Sequence, residues 1–299
     1  MRFEGIIPPL VTPMKDGGEL NLDGLPPIVE HVIRGGVHGI FILGSQSESF
    51  ALSFDEKREI ILKTLEIVSG RVPVLVGTGM ITTRDSIRMT RLARELGADG
   101  VSVMTPYFIR PSQEELYEHY RAIAEEAGEM SVLLYNNPLR TGLQIEVETV
   151  VRLAELKNVV GMKESSGDMM RMMRYIQATE RMEFDVLSGN DALIYAGMLC
   201  GAKGGVSATA NVYPDLVVGI YESVRRGNLE EGRRLQYELL KFRVAFNRLG
   251  TFPAMVKEAM NMLGLPAGPP RPPVKPLAHE EKEELKRIMD ELNLGSGSR

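Results

Sequence analysis

Short runs rich in Val, Ile and Leu recur along the chain, each followed by a small polar or glycine-bearing segment and then an amphipathic stretch. Eight such runs read as strands, at residues 5–11, 39–43, 72–76, 100–104, 131–135, 159–163, 184–187 and 204–207. Several are almost uninterrupted in apolar residues, the pattern of parallel strands covered on both faces. The stretches between them carry helix punctuation. Ser53 precedes residues 54–68 with Glu56 three positions on, a reciprocal cap. Residues 83–96 end at Gly97, suited to a left-handed helix stop, and Ser112 precedes Gln113, Glu114 and Glu115, suited to a helix start. Eight strands alternating with helices predict a closed (β/α)8 TIM barrel, with an open doubly wound sheet as the competing arrangement.

Beyond the eighth unit the pattern changes, which divides the chain into a barrel at 1–227 and a C-terminal helical extension at 228–294. Residues 228–263 read as helical throughout, 265–276 as a Pro- and Gly-rich connector hugging the surface, and 279–292 as a charged amphipathic helix packed on the barrel. Residues 295–299 read as a disordered tail.

Composition narrows the function classes. The chain has 299 residues, 43% hydrophobic and 25% charged, near globular averages and somewhat longer than a bare barrel needs. No apolar run approaches the roughly 20 residues of a bilayer span, and the N-terminus lacks a signal pattern, so a cytoplasmic protein without a membrane partner is expected. A net charge of −5 offers phosphate backbones no general attraction, which disfavours nucleic acid as a partner. Cys200 is the single cysteine, excludes an intrachain disulfide and reads as a small buried hydrophobe. His31, His38, His119 and His279 show no metal-ligand spacing, and neither a dinucleotide fingerprint nor a Walker loop is present, so no metal and no cofactor are expected. The cluster Met169, Met170, Met172 and Met173 reads as core filling.

In such a barrel the segments that follow the strands share one face, where chemistry sits. Here they include 44–48, 77–79, 105–108, 136–138, 164–166, 188–191 and 208–211. Lys163 ends the run Val159-Val160-Gly161-Met162 and therefore belongs to a core strand. Lysine is rarely buried without a reason, and burial disfavours the ammonium form; a neutral amine is what attack on a ketone requires. The plainer alternative is a strand-end lysine reaching solvent or pairing with Glu164. Tyr135 closes the preceding strand, so the two side chains fall on neighbouring positions of one rim, where a phenol can move protons. Packing alone is its other role. The turn 44–47 can aim backbone N–H groups and the Ser45 hydroxyl at a carboxylate, or be an ordinary tight turn. Arg140, just past 136–138, can grip a carboxylate bidentately or stand on the surface.

In combination these motifs resemble the dihydrodipicolinate synthase/N-acetylneuraminate lyase family of pyruvate-dependent class I aldolases. The likeness runs from Gly5-Ile6-Ile7-Pro8-Pro9 to the C-terminal helices. Gly44-Ser45 with Glu48, Tyr135-Asn136-Asn137-Pro138 and Gly161-Met162-Lys163-Glu164 are similar to the family's turn, its Tyr-Asn-x-Pro and its Schiff-base motif. The resemblance implies that Lys163 forms the iminium with pyruvate, that Tyr135 is the acid/base, and that Ser45 and the Gln46 N–H hold the pyruvate carboxylate. Val206 would line the pocket, with Gly189 also on the substrate side, and Arg140 would bind the acceptor's carboxylate as in the synthase branch. It implies a homotetramer, a dimer of dimers. The implied reaction is condensation of pyruvate with aspartate semialdehyde. The alternatives are an aldolase or lyase of 2-keto-3-deoxy sugar acids, a related keto-acid aldolase or dehydratase, and a non-catalytic keto-acid sensor. Two places depart from the synthase pattern: Gln46-Ser47 replaces Thr-Gly, and Phe108 replaces a tyrosine of the hydroxyl relay, leaving Tyr107 or water to serve there. Phe54 and Lys57 stand where some synthases carry the histidines of a lysine-effector site, so feedback of that type is not expected.

Overall fold

A computed structural model describes residues 1–296. Eight parallel strands follow one another around a single curled sheet: β1 (Gly5–Ile6), β2 (Ile40–Ile42), β3 (Val74–Gly77), β4 (Gly100–Met104), β5 (Ser131–Asn136), β6 (Val159–Glu164), β7 (Asp185–Ser188) and β8 (Gly204–Gly205). The competing open doubly wound order is not what forms. β1 pairs with β8, and its continuation meets β2 through a bridge between Pro9 and Phe41 and N–H donation from Leu10 to the Phe41 carbonyl (2.8 Å), which closes the barrel. The helices are α1 (Leu25–Arg34), α2 (Phe54–Val68), α3 (Thr83–Glu95), α4 (Gln113–Ala127), α5 (Pro138–Thr141), α6 (Val147–Ala154), α7 (Met169–Thr179), α8 (Ile194–Leu199), α9 (Pro214–Arg225), α10 (Leu229–Ala245), α11 (Ala254–Met262) and α12 (His279–Ser296).

Strand alternation sorts the apolar residues into two layers. Ile7, Phe41, Leu75, Leu133, Leu187 and Val206 fill the barrel interior, whereas Ile40, Val74, Val101, Val132, Leu134, Met162 and Val186 pack outward against the helices. The caps form as expected: Ser53 with Glu56, and Ser112 with Glu115, make reciprocal capping boxes on α2 and α4.

Five expectations change. The strand regions expected at 5–11 and 204–207 keep only two paired residues each. The helix read over 228–263 breaks between Ala245 and Ala254, because Gly250 takes a positive φ of 63° and Pro253 brings no N–H to the ladder. Cys200 is exposed in the single chain, one residue past the end of α8. Of the methionine cluster Met172 is buried, while Met170 and Met173 face outward, since consecutive helix positions cannot share one face. Helix α12 runs through Ser296, into the segment read as a tail; residues 297–299 lie outside the described residues. No helix among the described residues is long and apolar enough to cross a membrane.

The extension is tied to the barrel mouth by a buried ion pair. Glu48, in the turn after β2, holds a left-handed backbone (φ 56°) and is fully buried. Its Oε1 accepts from Lys257 Nζ on α11 (2.8 Å), and its Oε2 accepts from the Arg271 N–H (2.7 Å). Lys257 also donates to the Thr12 carbonyl (2.9 Å).

Candidate active site

Parallel pairing of β5 with β6 sets Tyr135 directly across from Lys163. Residues two apart in a strand share a face, so Tyr135 stands above inward-facing Leu133, and Lys163 above Gly161. Lys163 is 5% exposed, and its Nζ lies 4.0 Å from the Tyr135 ring centroid and 5.1 Å from that of Phe41. Glu164, one residue on, points to the other side. There its carboxylate accepts from the Asn136 amide (2.7 Å) and the Ser166 N–H (2.6 Å), so it does not pair with Lys163.

The Tyr135 phenol is buried, and its oxygen accepts a hydrogen bond from the Asn137 amide (3.0 Å). Burial pushes its pKa up; the adjacent Lys163 charge, the Asn137 amide and the Ser45 hydroxyl outweigh that and bring it down to about 8. A phenol of that kind gives up and recovers a proton far more readily than free tyrosine near neutral pH.

The turn after β2 is laced from within. The N–H groups of Ser47 and Glu48 donate to the Gly44 and Ser45 carbonyls at 3.1 and 3.2 Å, whereas those of Ser45 and Gln46 have no backbone acceptor among the described residues. Ser47 Oγ donates to the Leu10 carbonyl (2.6 Å) and Thr12 Oγ1 to the Ser47 carbonyl (2.7 Å), so Ser47 locks the turn instead of facing the cavity. The Gln46 side chain is buried and neither of its amide atoms finds a partner among the described residues.

All seven residues singled out from the sequence line one cavity of 340 Å³: Lys163, Tyr135, Ser45, Gln46, Arg140, Val206 and Gly189. Gly189 has no room for a side chain, since a β-carbon there would sit 3.0 Å from both the Glu164 carbonyl oxygen and Ser165 Cβ. Arg140 is carried on α5, a single turn started by Pro138 and ended by Gly142 at φ 67°. Thr141 ties that turn back, its hydroxyl donating to the Leu143 carbonyl (2.9 Å). The Arg140 guanidinium lies over the Phe252 ring at 4.2 Å.

Sequence reasoning missed Asn137 as the partner of the phenol, and it missed the wall formed by Arg243, Phe246, Asn247 and Phe252. That wall comes from the end of α10 and the break that follows it. Gly250 and Pro253 were its signal in the sequence. A second cavity of 220 Å³ lies beyond Ser45, Tyr135 and Arg140, which border both spaces, and it reaches Lys57 and Tyr107. Lys57 is buried, its Nζ meeting only the Met80 sulfur at 3.9 Å among the described residues, and burial lowers its pKa. No cluster of three metal-ligating side chains occurs among the described residues.

Comparison with known proteins places this geometry among relatives. The pattern of the Dihydrodipicolinate synthetase family matches residues 2–292. A 4-hydroxy-tetrahydrodipicolinate synthase of Methanoculleus marisnigri is 39% identical over 96% of this chain and 98% of its own. One of Methanopyrus kandleri is 40% identical over 98% and 97%. The crystal structure of dihydrodipicolinate synthase from Thermotoga maritima superposes with a TM-score of 0.93 at 35% identity, covering 98% of this chain and all of that one.

Proposed function

The chain belongs to the dihydrodipicolinate synthetase family of carbon–carbon lyases, and from that premise we propose that Lys163 captures pyruvate as a Schiff base and passes it to aspartate semialdehyde. The observation that carries this reading is a buried lysine nitrogen 4.0 Å from the ring of a phenol whose pKa is drawn down to about 8.

The amine attacks C2 of pyruvate, and the resulting carbinolamine loses water to give an iminium. The iminium drains electrons from C3, so a C3 proton leaves and an enamine forms. Tyr135 is suited to carry these protons, with Ser45 and Asn137 holding its oxygen. The enamine carbon then attacks the aldehyde carbon, whose oxygen takes up a proton. Water or the acceptor's own amine finally displaces Lys163. The Ser45 hydroxyl and the N–H groups of Ser45 and Gln46 are suited to hold the pyruvate carboxylate, Val206 and Gly189 give the keto acid its walls, and Arg140 meets the acceptor's carboxylate. The iminium is itself the electron sink, so this chemistry needs no cofactor and no metal. The enzyme acts in the cytoplasm as a homotetramer, in keeping with the family.

Phe108 brings no hydroxyl and Gln46-Ser47 replaces Thr-Gly, which makes cleavage of 2-keto-3-deoxy sugar acids the second reading. Borohydride reduction in the presence of pyruvate, followed by peptide mass analysis, tests the common step. A reduced pyruvyl adduct on the Lys163 peptide is expected, absent in Lys163→Arg. No adduct in the wild type would leave a keto-acid sensor as the better description. Rates with aspartate semialdehyde against sugar-derived aldehydes then separate the two enzymatic readings.

A further inference from the structure

We propose that Arg243 determines acceptor specificity, binding together with Arg140 the carboxylate that the acceptor aldehyde carries at its far end. The proposal rests on the Schiff-base reading for its chemistry and on the second wall of the cavity for its geometry.

Among the described residues, three cations line the cavity, Lys163, Arg140 and Arg243, against one carboxylate, Asp191. That carboxylate is already committed. It is buried, and its Oδ2 accepts from both the N–H (2.9 Å) and the hydroxyl of Thr209. Pyruvate supplies one negative charge, and the turn after β2 receives it. The two arginines are left facing the remaining space without an acidic partner among the described residues.

Both guanidiniums are shelved in the same manner. Arg140 lies over Phe252 at 4.2 Å, Arg243 over Phe246 at 5.1 Å, and both rings belong to the break between α10 and α11. Stacking uses the faces of a guanidinium and leaves its N–H groups around the edge, in the plane where a carboxylate binds. Arg243 is half-buried, and its polar contact is Nη1 donating to Asn247 Oδ1 at 3.5 Å, too long to satisfy the group. Arg140 comes from the β5 side of the mouth and Arg243 from α10, so an anion between them is held from two sides.

The test compares Arg243→Gln with the wild type using pyruvate and three acceptors: aspartate semialdehyde, succinate semialdehyde and neutral butyraldehyde. The ratio of kcat/KM for the acidic over the neutral acceptor is expected to fall about 10- to 100-fold, the range of a charge-assisted hydrogen bond. Most of the change should appear in KM, as for removal of a uniform binding contact. Equal losses for acidic and neutral acceptors, or no loss, would overturn the proposal. Calorimetric titration with succinate requires no turnover, so it reads Arg243 even if the Schiff-base reading fails. About tenfold weaker binding by Arg243→Gln supports the assignment, and unchanged binding refutes it. The pyruvate adduct on Lys163, measured in the same preparations, bears on the Schiff-base reading alone.

Discussion

At the scale of single residues, the candidate chemistry turns on how a buried phenol is kept ready to ionise. Removing the Tyr135 hydroxyl leaves the ring beside Lys163 but takes away the proposed proton carrier. Tyr135→Phe is therefore expected to lower kcat by about 10²- to 10⁴-fold while still yielding some reduced pyruvate adduct. Wild-type turnover in that variant would remove the phenol from the mechanism. Ultraviolet titration should show one tyrosine ionising near pH 8, missing in Tyr135→Phe. An unfolded chain loses the same proton only near pH ~10. Between those values the unfolded state binds more protons, so this group's contribution to stability is absent below pH 8 and grows as pH rises through the window. Lys163 and Tyr135 were legible in the sequence because each ends a strand run, and strand ends in a barrel converge by geometry. Asn137 and Arg243 were not, because amide orientation and the packing of an arginine on a ring depend on side-chain geometry that spacing does not encode.

At the scale of elements, residues 228–263 read as helical throughout, and the break within them instead supplies a wall of the cavity. The turn after β2 and helix α11 face each other across the Glu48–Lys257 pair, both side chains 0% exposed. Breaking such a pair from one side strands the other charge in the interior. Lys257→Met is expected to cost about 3–5 kcal/mol in denaturant unfolding, because the Glu48 carboxylate keeps only the Arg271 N–H. The variant should also bind pyruvate poorly, since Ser45 and Gln46 belong to the turn that Glu48 anchors. A variant as stable as the wild type would show that the turn does not depend on the pair. Glu48 was legible as part of a family motif; its partner lies more than two hundred positions away, beyond the reach of any local pattern.

At the scale of the molecule, the barrel was legible nearly whole, since eight apolar runs with helices between them admit few arrangements, and a single order of strands around the sheet resulted. Its outer surface is less self-contained. Phe50, which lines the second cavity, is 57% exposed, and Ile81, Phe108 and Ile109, next in sequence to its lining residues Met80 and Tyr107, are 46%, 88% and 64% exposed. Exposed apolar side chains of this kind are what the proposed homotetramer would cover. Sedimentation equilibrium is expected to give four times the chain mass, and Phe108→Asp to shift the population towards smaller species. A wild-type monomer at all concentrations would contradict the homotetramer. Tyr135 borders both the cavity of Lys163 and the second cavity. If that phenol carries the protons of the proposed reaction, the second cavity gives them a place to leave that a reactant lodged beside Lys163 does not fill.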